Sequence, residues 1–260
     1  MSTRKRSYLP LAAGVFSSAA PGDRPANWAV TGRFGGVSRP PFNELNLAAH
    51  VGDDPANVDA NLALVSGLLG LPRSRIVTMG AAHGARIGVV NEPGHVEDVD
   101  ALISTSPDLA LVALGADCAT IALSGAGIIG VVHCGWRGLA ADVVGAAVAR
   151  MRTEGAGSLE AVIGPAVCGR CYPVSPERIQ ELASAVSSGV GARAISTSSD
   201  GQPSIDVRAG VCERLTELGV PTHVIGGCTV EDEALFSHRR DGVTGRQGIV
   251  VAFGTVDGQD

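Results

Sequence analysis

The sequence predicts an α/β fold, a single mixed domain whose central β-sheets are flanked by helices. Three observations carry that expectation. Short apolar runs of strand length crowd the middle of the chain. Helical segments with clear start signals lie before and after them. No linker-like break and no internal repeat interrupts residues 28–254. The chain has 260 residues and is 45% hydrophobic but only 3% aromatic, so its core must be built from Val, Leu, Ile and Ala.

Residues 1–27 hold Pro10, Pro21, Gly22 and Pro25 without periodicity and read as a loose extension. Residues 28–260 then form the domain. Trp28 to Thr31 is a short strand, followed by a loop rich in Gly, Pro and Asn. Asp54 caps a helix with Pro55 in its first turn. Val58, Leu62, Val65 and Leu69 share one face, and Gly70 stops it. Strands are expected at 76–79, 87–90, 109–114, 118–123 and 128–133, the last two joined by a turn at Ser124-Gly125-Ala126-Gly127. A helix from about Leu139 to Arg152 and a strand at 159–163 follow. Ser175-Pro176 and Asp206 open two further helices, and strands at 223–225 and 248–253 close the chain.

The formal net charge is −6, and Arg4-Lys5-Arg6 is the one basic cluster. Neutralising phosphates needs clustered Lys and Arg, so nucleic acid is not an expected partner. The mildly apolar stretch from Leu9 to Ala20 is interrupted by Pro, Gly and Ser and makes a poor signal peptide. No run of 18 apolar residues exists, so no membrane span is expected. Six cysteines in so long a chain do not read as a disulfide scaffold, and a cytoplasmic location fits.

Three residues stand out as candidate metal ligands: His83 in MGAAHGARI, Cys118 in GADCATI and His133 in VVHCGWRGL. Each ends or follows an apolar run, where a side chain can be held rigidly and still face a cleft. Two imidazoles and a thiolate suit zinc, and three protein ligands leave one position open, as catalytic sites do. The long gaps between them leave a second reading, a buried cysteine with two unrelated histidines. Arg137, beside the His133 strand end, reads either as an anion-binding group or as a surface cation stacked on Trp136. Asp117 reads either as an orienting carboxylate for a neighbouring His or Arg, or as a cap for nearby amides. Arg33 and Asn46 lie in polar, glycine-rich loops that could meet an anionic group. Cys168 and Cys171 form an isolated CxxC, expected neither to bind metal nor to form an obligatory disulfide. His50, His95, His223 and His238 are dispersed and read as structural or surface residues.

The ordered motifs TGRFGGVS, ELNLAAHVGDDPANVDAN, AAHG, DALIST, GADCATI, HCGWRGL, IGPAVCGRCYPV and CTVEDEALFSHRRDGVTGR resemble the laccase-domain family. Its members are also called multicopper polyphenol oxidase-like proteins or zinc-dependent purine nucleoside phosphorylases. The resemblance spans about residues 28–254. It implies one α/β domain and the ligand set His83, Cys118 and His133 for zinc, with copper as the alternative metal. It implies an enzyme acting on purine nucleosides with phosphate, some members also deaminating adenosine. The family's usual Gln, Pro and Ala are replaced here by Ala81, Thr120 and Cys134.

The leading expectation is therefore a zinc-dependent purine nucleoside phosphorylase, a monomer or weak dimer. Cys118, His133, Arg137 and Asp117 are its catalytic candidates, and Arg33, Asn46 and Arg137 its substrate contacts. Three alternatives stand beside it. One is a hydrolase editing cell-wall precursors, with Cys118 as nucleophile and His133 as base. Another is a copper polyphenol oxidase, against which the total of six histidines argues. The last is a non-enzymatic, metal-stabilised interaction protein.

Overall fold

The computed structural model describes residues 11–16 and 24–254. Two six-stranded mixed sheets lie face to face. The first holds β1 (Ala12–Val15), β2 (Ala26–Val30), β3 (Ile76–Gly80), β5 (Gly94–Glu97), β7 (Ala110–Gly115) and β14 (Gln247–Phe253), in the order β1-β2-β14-β7-β3-β5. The second holds β4 (Ile87–Val89), β6 (Ala101–Ser104), β8 (Ala119–Gly125), β9 (Ile128–Cys134), β10 (Leu159–Ile163) and β13 (Thr222–Val224), in the order β13-β10-β8-β9-β6-β4. A small ribbon pairs β11 (Ile195–Thr197) with β12 (Pro203–Ile205).

Strand alternation sorts the apolar side chains into layers. On β7, Leu111 and Ala113 join Val77, Met79, Ile249 and Val251, which face Leu102, Ala122, Ile129 and Val131 of the other sheet. Ala110 and Val112 point the other way, toward Leu45, Leu47 and the Val58, Leu62 and Val65 face of α1 (Pro55–Gly67). On β8 and β9, Ile121, Leu123, Ile128 and Val132 turn outward under α2 (Trp136–Ala140), α3 (Val143–Thr153), α4 (Pro176–Ala185), α5 (Ser188–Ala194) and α6 (Val207–Glu217). The molecule is thus helix, sheet, sheet, helices. Among the described residues α7 (His238–Asp241) completes seven helices, and none is long and apolar enough to cross a membrane.

The cap at Asp54 is present, its carboxylate accepting the Ala56 amide at 2.9 Å. Asp206 accepts the Ala209 amide in the same way. Three local expectations change. Ala12–Val15, read as part of the loose extension, pairs antiparallel with β2; residues 1–10 and 17–23 of that extension lie outside the described residues. The helix expected from Leu139 to Arg152 is two helices. Asp142 sits between them in the left-handed region (φ 57°), accepts the Gly145 amide and is gripped by Arg214 at 2.8 and 2.6 Å. Ala101–Ser104 and Gly94–Glu97 are strands that were not expected, because they are too short for periodicity to register.

The polar loop before α1 is held by one buried side chain. Asn61 donates to Ser38 Oγ and to the Glu44 and Asn46 carbonyls, while its Oδ1 accepts the Val37 amide. Asn61→Ala should therefore destabilise the protein by about 2–4 kcal/mol, since it strands several buried groups at once. Urea denaturation measures this, and a loss under about 1 kcal/mol would show that water replaces the amide.

Candidate metal centre and cationic cleft

The β8–β9 register brings two of the candidate ligands together. Thr120 lies opposite His133, and Ala119 opposite Cys134. Cys118, one residue before β8, is therefore the diagonal neighbour of His133 on the same face, within reach of a long side chain. That face is the one turned toward the first sheet. His83 arrives by another route. β3 belongs to the first sheet and β4 to the second, so the 81–86 segment crosses between sheets and carries His83 to the hairpin.

His83, Cys118 and His133 form one cluster, their ligand atoms all within 4.8 Å of one another. The two imidazoles meet edge to face at 4.7 Å. Gly135 makes the space: a Cβ there would stand 3.0 Å from Cys118 Sγ and 3.5 Å from His83 Cδ2. His83 itself is in the left-handed region (φ 61°), a conformation costing a non-glycine residue on the order of 1 kcal/mol or more and found disproportionately at functional sites. A soft thiolate, two imidazoles and room beside them fit a metal ion.

The electrostatics agree. Burial alone would raise the Cys118 thiol, but the charge and hydrogen bond of His133, and then the hydrogen bond of His83, hold it down at about 6. Burial would lower His133, but the Cys118 thiolate and Asp100 raise it to about 9. Cys134, by contrast, is buried beside these negative groups, and its thiol is pushed well above the ordinary value. It is a packed core residue pointing away from the cluster.

Asp100 is the functional residue that motif reading missed. It is fully buried, accepts the Gly84 amide at 2.9 Å, and places Oδ1 3.8 Å from His133 Nδ1. Those two atoms are buried without a hydrogen-bond partner, facing each other across an ion-pair distance. A carboxylate behind a ligating imidazole fixes its orientation and raises its basicity. In the sequence it opens the DALIST motif, an acid directly before a short apolar run, with no nearby residue to mark its partner.

Asp117, a catalytic candidate in the sequence, lines the cleft with both carboxylate oxygens engaged by neighbouring groups. Its Oδ1 accepts the hydroxyls of Thr229 (2.6 Å) and Ser237 (2.7 Å), and its Oδ2 accepts the Arg239 amide (2.7 Å). Its backbone is held at φ 106°, and its carbonyl accepts the Val167 amide. Asp117 thus fixes the chain immediately before Cys118 and positions the ligand.

The cluster lies in a cleft of about 690 Å³. Arg137 lines it, and the stacking on Trp136 expected from the sequence is present. Arg178 stacks on Trp136 as well, and Arg239 on Tyr172. With Arg246 these make four guanidinium groups around one cleft, against one lining carboxylate, Asp117, whose oxygens are already engaged. Its walls are therefore predominantly cationic. His50 and His238, read from the sequence as structural or surface residues, line it too. His50 comes from the turn before α1 and His238 from α7, segments that no local pattern links to the metal motifs.

Arg33 and Asn46 do not line the cleft. Arg33 donates to the Asn43 carbonyl and side chain and pairs with Asp241 at 3.4 Å. Asn46 is buried, bonded to Ala48 and Asp53, and its Oδ1 accepts the Arg246 amide. Both are consumed in holding loops, and Asn46 reaches the site only through the backbone of Arg246. His95 pairs with Thr78 and Glu97, and His223 with Glu160, away from the cluster.

Fold and site together define a single-domain α/β protein with a Cys-His-His cluster on the wall of a cationic cleft. The chain belongs to the family described as multi-copper polyphenol oxidoreductase laccase, which matches residues 27–254. A Mycobacterium tuberculosis protein named purine nucleoside phosphorylase is 43% identical over 224 residues, covering 84% of this chain and 88% of the relative. A Streptomyces griseus protein of the same name is 43% identical over 236 residues, 87% and 94% of the two chains. The crystal structure of YlmD from Geobacillus stearothermophilus superimposes with a TM-score of 0.81 at 32% identity, over 88% of this chain and 92% of that one.

Two outcomes are expected of the cluster. In metal-free protein, alkylation of Cys118 by iodoacetamide should rise with pH around a midpoint near 6, not near the ordinary thiol value of 9.0, because the thiolate is the reactive form. A midpoint above 8 would show that His133 does not hold the thiolate. Asp100→Asn should weaken metal binding by about 10- to 100-fold. Competition with a chromophoric chelator measures this, and an unchanged affinity would remove Asp100 from the site.

Proposed function

We propose that the chain is a zinc-dependent purine nucleoside phosphorylase acting on adenosine or inosine. The observation that carries this reading is the joining of an open three-ligand site to a cleft ringed by Arg137, Arg178, Arg239 and Arg246. Phosphorolysis needs a bound phosphate, and guanidinium groups are its natural partners. Relatives sharing this fold carry the same activity in their names.

The donor set of His83, Cys118 and His133 fits zinc, which with a vacant position would supply Lewis acidity. Asp100 orients His133, and Asp117 fixes Cys118. Arg137 grips the phosphate and keeps a nucleophilic oxygen near the ribose. That oxygen bonds to C1′ as the C1′–N9 bond breaks. The electron pair leaves with the purine, which takes up a proton. As the imidazolium, His238 would donate through Nδ1 to the Gly242 carbonyl, 2.7 Å away, and pass its Nε2 proton to the purine. Tyr172 lines the cleft beside these groups, with Arg239 stacked on its ring. Adenosine deamination would use the same open position. A laccase needs several coppers and many histidines, and here two of the chain's six histidines join the cluster.

One observation favours a second reading. Cys118, His133 and Asp100 stand in the order nucleophile, base and orienting acid, with the thiol held low. That arrangement also suits a cysteine hydrolase, including one acting on cell-wall precursors.

Release of free base from adenosine and inosine, with and without phosphate, separates the readings. Arg137→Ala should lower kcat/KM at least roughly thirtyfold, the equivalent of about 2–4 kcal/mol, while zinc stays bound. His133→Ala should remove both metal and activity. Zinc-loaded protein that releases no base under either condition rejects the phosphorylase and leaves the hydrolase.

A further inference from the structure

The isolated CxxC gains partners in the folded chain. Cys168 and Cys171 flank a single tight turn, in which the Cys171 amide donates to the Cys168 carbonyl at 3.0 Å. Cys228 and Glu231 flank another, closed by the Asp232 amide on the Cys228 carbonyl at 3.0 Å. Folding lays the two turns against each other, so that a Cys-x-x-Cys pair meets a Cys-x-x-Glu pair sixty residues farther along the chain. The ligand atoms of all four lie within 4.8 Å of one another, as tightly as those of the first cluster.

We propose that Cys168, Cys171, Cys228 and Glu231 form a second, structural zinc site. Zinc with sulfur at about 2.3 Å and oxygen at about 2.0 Å in a tetrahedron sets sulfur–oxygen edges of about 3.5 Å. Cys171 Sγ lies 3.6 Å and Cys168 Sγ 3.9 Å from the same oxygen, Glu231 Oε1. Cys228 Sγ accepts the Cys168 amide at 3.3 Å, and the amides of Val230 and Glu231 face it too. Amides aimed at sulfur stabilise a thiolate ligand. Three thiolates, a carboxylate and a divalent ion carry net charge −2, and Arg170, bidentate on Glu231 at 2.8 and 2.9 Å, offsets part of it. Four protein ligands close the coordination sphere, which makes the site structural where the first is open. The expectation that Cys168 and Cys171 are not ligands is thereby revised: the partners needed were too far along the sequence for spacing to reveal.

The site also has something to hold. Val167 and Tyr172 on one turn line the cleft, and Thr229, next to Cys228 on the other, donates to Asp117. Joining the turns braces the wall behind the first cluster.

The test is zinc content and sulfur coordination of the full chain, reduced and saturated with Zn²⁺. Wild type should hold two zinc ions per chain, with X-ray absorption giving an average of two sulfurs per zinc, one site having one and the other three. Cys118→Ser should keep one zinc, now with three sulfur neighbours. Cys171→Ser and Cys228→Ser should each lose this ion and keep the first. Cobalt(II) titration provides an independent reading: two ions per wild-type chain, with the sulfur charge-transfer bands of one site surviving in Cys118→Ser. Wild type with one zinc and a single sulfur neighbour overturns the proposal, as does a Cys118→Ser chain that holds no metal.

Discussion

The site depends on one strand register. Because Thr120 pairs with His133, Cys118 and His133 come to one face of a hairpin at its open end. A slip by one residue would turn one of them into the helix-side core, among Ile121, Val132 and their neighbours, and dismantle the pair. The register is protected because both faces of β8 and β9 are buried: one packs on the first sheet and the other on the helices. The apolar layers thus set the chemistry as well as the stability.

Around that hairpin the chain accepts local strain and compensates for it with polar contacts. Asp117 and His83 both occupy the left-handed region that favours glycine. Asp117 is held there by two hydroxyls and an amide, and His83 is followed by Gly84, whose amide Asp100 fixes. The same buried Asp100 faces His133. One carboxylate therefore organises both imidazoles, and another holds the turn that presents the thiol.

Much of this was legible in the sequence. Long apolar runs and capped starts, such as Asp54-Pro55 and Asp206, reported their elements because burial and capping are local demands. His83, Cys118 and His133 were legible as one candidate ligand set, and the fold brings them together, with Arg137 beside them. What stayed hidden was whatever depends on distant chain segments. Asp100 looked like an ordinary acid before a strand. Arg178, Arg239, Arg246, His50 and His238 reach the cleft from four separate loops or helices. Arg33 and Asn46 sat in convincing polar loops, yet their hydrogen bonds go to the loops themselves and to the Asp241 and Arg246 segments. Asp142 broke a helix that periodicity alone would have continued, because its partner, Arg214, lies 72 residues away.

The crossing segment that carries His83 ties the cluster to the packing of the two sheets. Cys118 and His133 stand at the open end of one hairpin whose faces are both covered by apolar layers. His83 is exposed and rides on the short 81–86 connection from the first sheet to the second. The spacing of imidazole to thiol is therefore set by how the sheets are seated on each other, so a change in their shared apolar layer is felt at the mouth of the cleft.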